Sequence, residues 1–239
     1  MDEDSIVVSR RVVGKPFYHN NLATALENCQ KEHEALFMPA LVDTRISSPK
    51  NALIWQNWYC SPSIRATGRT SQGNPVVVIA HIPNYFSKPK NIRTAIKYGL
   101  KDGAGILPQK EFQRLVDLDE SVNCFGDRLV WLLDEDKFRN SFSGVVQIDK
   151  ALEHPQTIPF LGGRERAEAY MKRHEEVYGD KIGIWKKNDL YDDVSVGRLL
   201  FFGSSGSGSL RGDCGALRCD GRFVGVRRSA EGTSPNFSK

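Results

Sequence analysis

The sequence predicts an α+β fold: a single domain built on a mixed, largely antiparallel sheet with four or five helices. Three observations carry that expectation. Strand-like runs outnumber helical periodicities along the chain. The strongest run, residues 75–82, contains four β-branched residues in succession and is apolar on both sides, as a strand covered on both faces must be. No internal repeat or long linker divides the chain, so residues 1–230 read as one domain and residues 231–239 as a flexible C-terminal tail.

Taken in order, residues 6–13 alternate loosely and read as a strand. Asn21 opens a helix whose apolar stripe is Leu22, Leu26, Cys29, His33, Leu36 and Phe37, with Pro39 as its stop. Residues 40–46 and 52–59 read as strands, the second rich in tryptophan and tyrosine. The polar stretch 61–74, broken by Pro62, Gly68 and Gly73, reads as a long loop. After the strand at 75–82 comes a helix over 89–100, with Ile92, Ile96 and Leu100 on one face. Pro108 suits the first position of another, carrying Phe112, Leu115 and Val116. Residues 129–133 and 145–148 read as strands. Residues 164–178 form the clearest helix, with Gly179 just past its end. Strands follow at 182–185, 196–202 and 223–226, with Asp220-Gly221 as a hairpin-turn dipeptide.

Composition narrows the function classes. With 239 residues, 40% hydrophobic and 26% charged, the chain is ordinary globular material. No apolar run approaches a bilayer span, so no membrane role is expected. The net charge of +4 permits acidic partners without demanding them. The basic run 65–69 and the acidic runs 117–120, 134–136 and 189–193 read as solvated faces. The five cysteines have no Cys-x-x-Cys spacing, and the paired carboxylates lack regular ligand spacing, so no metal or other cofactor is expected. An acidic start with no apolar stretch behind it, and thiols read as reduced, point to the cytoplasm.

One segment carries recognisable chemistry: Gly212-Asp213-Cys214-Gly215, followed by Ala216-Leu217-Arg218-Cys219-Asp220-Gly221-Arg222-Phe223-Val224-Gly225-Val226. It resembles the nucleophile segment of chymotrypsin-like proteases, with cysteine in place of serine as in their viral 3C-like branch. The resemblance implies a cysteine-nucleophile hydrolase acting on a peptide. Cys214 would attack, His81 would serve as base, Asp127 would orient it, and the backbone of Gly212 and Gly215 would hold the oxyanion. Each residue also has a structural reading: Cys214 as a tight-turn residue, His81 as a hydrogen-bonded core histidine, Asp127 as the start of a strand.

Two other features suggest a binding module for nucleic acid or a phosphorylated ligand. Arg65 and Arg69 lie near Trp55, Trp58 and Tyr59, and Asn84 closes the same loop-strand unit. Gly203, Gly206 and Gly208 belong to a glycine-serine loop whose backbone N–H groups could cradle a phosphate. A non-catalytic interaction protein is the remaining expectation.

Overall fold

The first and last described strands of the chain lie in one small sheet, and the larger sheet is built from what runs between them. The structure is a computed structural model that describes residues 6–9, 12–203, 208–212 and 217–227. It opens with β1 (Ile6–Ser9), β2 (Val12–His19), α1 (Leu22–Gln30), β3 (His33–Ala35), α2 (Met38–Ser47) and α3 (Leu53–Gln56). Next come β4 (Tyr59–Arg69), β5 (Pro75–Ala80), α4 (Pro89–Tyr98), β6 (Leu100–Lys101), β7 (Ala104–Leu107) and α5 (Gln109–Asp117). The middle of the chain adds β8 (Val130–Asp134), α6 (Glu135–Asn140), β9 (Gly144–Gln147), α7 (Ile148–Ala151), α8 (Thr157–Leu161) and α9 (Arg164–Tyr178). It closes with β10 (Lys181–Trp185), β11 (Ser195–Phe202), β12 (Ser209–Arg211) and β13 (Gly221–Arg227).

The small sheet has the order β1-β2-β13-β3, and the large one β8-β5-β4-β11-β12-β10-β9, with β7 joining β11 and β6 pairing β7. Pairing is antiparallel except between β10 and β12, which run parallel. This is the mixed, largely antiparallel α+β single domain expected from the sequence. Apolar side chains that alternate along the large sheet feed two cores. Ile64, Val78 and Leu199 pack with α1, α4 and α5, whereas Ile79, Leu200 and Phe202 pack with α2, α8 and α9.

The described residues hold nine helices where four or five were expected. Four of them, α3, α6, α7 and α8, are only four to six residues long, too short to show a periodicity. The fifth long helix, α2, occupies the stretch read as a strand at 40–46. Pro39 stands in its first turn rather than ending α1, and there its missing N–H costs nothing because the first N–H groups of a helix have no partner inside it. α1 stops at Gln30, and Trp55 belongs to α3 rather than to a strand. The largest difference is at 61–74: residues up to Arg69 form β4, and every one from Tyr59 to Gly68 is buried. Gly221 opens β13 instead of sitting in a hairpin turn, where an added Cβ would come within 2.9 Å of the Leu22 Cα. The tail at 231–239 lies outside the described residues. Among the described residues, no helix is long and apolar enough to cross a membrane.

Candidate functional site

β4 and β11 run side by side with Arg65 directly opposite Arg198. Both are buried, 1% and 2% exposed, and two adjacent guanidinium groups in a core need an anion. Asp189, also 2% exposed, supplies it from the irregular stretch after β10. Its carboxylate accepts from Arg198 Nε at 2.6 Å and Nη2 at 2.9 Å, a bidentate fork, and from Arg65 Nη2. Arg198 also donates to the Asp102 carbonyl at 2.7 Å. Asp102 and Gly103 make the turn between β6 and β7, with φ of 51° and 85°, the positive pair that a tight hairpin turn requires.

The same turn grips the irregular stretch again. Tyr191 donates to the Asp102 carboxylate at 2.6 Å, which holds that carboxyl below its ordinary range. Burial, reinforced by this bond, pushes the Tyr191 phenol up to about 12. Farther out, Asp192 pairs with Arg69 at 2.7 Å and Asp193 with Lys101 at 3.1 Å. The acidic run read as a solvated face is therefore stapled at one buried and three outer points. Among the described residues, no group of three or more His, Cys, Asp or Glu is placed to hold a metal ion.

The second part of the site is a surface where β2 and β13 pair. Arg222 lies opposite Tyr18. Its guanidinium sits 5.3 Å from the Tyr18 ring centre and 5.5 Å from that of Trp58. The two rings meet edge to face at 6.3 Å and 76°. Asn57 accepts from Arg222 Nη1 and aims it across the rings. Tyr18 is 57% exposed, and its hydroxyl lies 3.5 Å from the exposed Asp220 carboxylate. An aromatic face, a guanidinium and a carboxylate thus converge on solvent.

The residues singled out in the sequence are dispersed. His81 is buried, with Nδ1 bonded to Ser63 Oγ at 2.9 Å and Nε2 to the Pro159 carbonyl at 2.8 Å. Desolvation lowers its pKa to about 4, so it is a neutral core histidine with both ring nitrogens engaged. Asp127 bonds Asn123 at 3.1 Å and lies 3.5 Å from Arg166, so base and orienter are not brought together. Gly212 spends its N–H on the Trp185 carbonyl at 2.9 Å, so that group is not free to hold an oxyanion. Cys214, Gly215 and Gly206 lie outside the described residues. Arg65 and Arg69 are paired with carboxylates, and Asn84 caps the short turn at Tyr85–Ser87. Gly203 donates to the Ser209 carbonyl at 2.8 Å, and the Gly208 carbonyl bonds His174 at 3.1 Å. Sequence reasoning missed Asp189, Arg198, Tyr18 and Arg222. Arg198 carried a usable signal, since a charge inside the run 196–202 must find a counter-charge when that strand is buried.

Comparison with solved structures settles the family. The chain is 50% identical to a solved structure described as "Accommodation of massive sequence variation in Nanoarchaeota by the C-type lectin fold". The match covers 91% of this chain and 99% of that one, with a TM-score of 0.84. This chain belongs to the C-type lectin fold family. No protein-family model matches it, and neither does any curated protein. The C-type lectin fold overturns the chymotrypsin-like reading, because the described residues form one α+β domain built on a mixed sheet rather than two β-barrels. With it goes the cysteine hydrolase. The reading as a nucleic-acid or phosphate-binding module finds no support in this family either, and its two arginines are already neutralised. The fold's name evokes calcium, but the residues described do not fit it: the carboxylates of Asp189, Asp192 and Asp193 are each paired with a basic side chain.

Proposed function

We propose that this C-type lectin fold protein is a non-catalytic binding protein for a hydroxyl-rich saccharide, held on the surface formed by Tyr18, Trp58, Asp220 and Arg222. The observation that carries the reading is the exposed Tyr18 ring set against half-buried Trp58, crossed by a guanidinium and flanked by an exposed carboxylate. Sugar C–H faces pack on aromatic rings, while hydroxyls pair with charged acceptors and donors at their edge. Asn57 acts as a positioning residue for Arg222.

The relationship to a protein described as accommodating massive sequence variation supports the same reading. A frame held from within, by pairs such as Arg198 and Asp189, does not depend on its surface side chains for stability. Those side chains can then be chosen for the ligand.

The test is a glycan array probed with the purified chain, followed by titration of tryptophan fluorescence with any saccharide retained. Tyr18→Ala and Asp220→Asn are expected to weaken binding by tenfold or more while leaving the thermal midpoint unchanged. An array that retains nothing, or binding that both variants preserve, overturns the proposal. We place the protein in the cytoplasm, because Cys124 is an exposed free thiol of the kind reducing compartments maintain. Its digestion by protease added to intact cells would overturn that placement.

A further inference from the structure

At the far edge of the large sheet from β9 and β10, a cleft of about 820 Å³ opens between the end of β5, the end of α5 and the residues leading into β8. Its volume is that of a small-molecule site. Ile82, Pro83, Leu118, Val122 and Leu129 make an apolar lining, and Val122 is 49% exposed. Three carboxylates, Asp117, Asp119 and Glu120, stand against a single cation, Arg114, among the lining residues.

These groups are not equivalent. Arg114 is spent on Glu111 at 3.3 Å and on the Pro83 carbonyl at 3.2 Å. Asp119 is spent on Arg128 at 2.6 Å and on the Leu132 N–H at 3.1 Å, which fixes the wall in place. Asp117 accepts from the neutral Gln113 amide at 2.7 Å, and Glu120, its side chain 78% exposed, makes a long ion pair of 3.8 Å with Arg128, which Asp119 already holds at 2.6 Å. Glu120 also has a φ of 63°, a left-handed conformation that a non-glycine residue adopts only against strain. The cleft therefore pairs an open apolar lining with an excess of carboxylates at its mouth, where Asp117, Asp119 and Glu120 face Arg128 and an Arg114 already shared with Glu111.

We propose that this cleft is a second binding site, separate from the saccharide surface, and that it takes a small amphipathic cation: an aliphatic or aromatic body carrying one ammonium or guanidinium group. The body occupies the lining of Ile82, Leu118, Val122 and Leu129, and the cationic head sits between Asp117 and Glu120. Charge complementarity selects the occupant. A neutral body would gain nothing from the excess negative charge of Asp117 and Glu120, and an anion would be repelled.

The test uses three probes of one shape, 4-phenylbutylamine, 4-phenylbutanol and 4-phenylbutyrate, titrated into the full chain and followed by calorimetry. The amine should bind saturably, the alcohol at least tenfold more weakly, and the carboxylate not at all. Glu120→Gln with Asp117→Asn should weaken the amine at least fivefold and leave the alcohol unchanged. Val122→Trp, which fills the cleft, should abolish binding of the amine and the alcohol, with thermal unfolding showing that each variant is folded. Equal binding of amine and alcohol overturns the proposal, as does absence of saturable amine binding. Amine binding that survives Val122→Trp also overturns it, because the amine then sits elsewhere.

Discussion

β4 and β5 lie side by side in the large sheet, antiparallel and in register from Ile64–Ala80 to Arg69–Pro75, and they are buried by opposite means. β5 reads Pro-Val-Val-Val-Ile-Ala, and its apolar side chains fill both cores. β4 reads Tyr-Cys-Ser-Pro-Ser-Ile-Arg-Ala-Thr-Gly-Arg, and its polar side chains from Ser61 to Thr67 are just as deep. Ser61, Ser63 and Arg65 each take a specific partner, whereas Thr67 Oγ1 is buried with no hydrogen-bond partner among the described residues. Ser63 accepts from the Met38 N–H at 2.9 Å and bonds His81, Ser61 bonds Ser63 at 3.0 Å, and Arg65 takes Asp189 from 124 residues away. Burial is a matter of satisfied groups, and apolarity is only the simplest way to satisfy them. β5 would suit many sheets, whereas β4 fits only a fold that delivers Asp189 to it.

The sharpest way to break this contrast is Asp189→Ala. It leaves Arg65 and Arg198 buried without their carboxylate and should cost about 3–5 kcal/mol in urea unfolding. Replacing all three residues together, Arg65→Met, Asp189→Leu and Arg198→Met, should recover most of that loss. A triple variant as unstable as the single one would show that the site needs charge and not merely the absence of orphaned charge.

His81, which ends β5 and bonds β4, extends the contrast to pH. Its folded pKa of about 4 lies below the ordinary 6.5, so between those values the unfolded chain binds a proton that the folded chain refuses. The neutral histidine's contribution is complete above about pH 6.5 and is lost as pH falls toward 4, roughly 3 kcal/mol in all. His154, lowered likewise by burial, adds to the same slope. Unfolding free energies measured at pH 7 and 4.5 should differ less in His81→Gln than in the parent. An identical difference in the two proteins would refute this.

On the apolar strand, Ile79→Val should cost about 1 kcal/mol, since it removes one methylene from a packed core. Denaturant midpoints would check it, and a loss comparable to Asp189→Ala would erase the distinction between the strands. The smallest effect should come from Arg69→Ala at the exposed end of β4. Its partner Asp192 is itself largely exposed, and the change should stay within about 0.5 kcal/mol.

The same contrast explains what was legible in the chain. α1, α4, α5 and α9 showed apolar faces at helical spacing, and β5, β8 and β11 showed continuous apolar runs, so each could be read from its own residues. β4 reads as a loop in the sequence because proline, glycine, serine and arginine favour turns when their partners are out of view. α2 reads as a strand because Pro39 marks a helix's end or its first turn equally well. At the candidate site, Trp58 stands near a basic run in the sequence, but the groups that complete it, Tyr18, Asp220 and Arg222, come from β2 and the entry to β13. Nothing local announces that these strands are neighbours.

By itself the sequence determined the α+β class, the single domain and the elements whose hydrophobic pattern is self-contained, because local periodicity suffices to choose helix or strand when one face must be dry. Only the tertiary structure decided that a polar stretch would be a buried strand, that Asp189 would be a buried counter-ion instead of a solvated acid, and that His81 would be neutral. A polar group's fate depends on the partner that meets it, and here those partners arrive from distant parts of the chain.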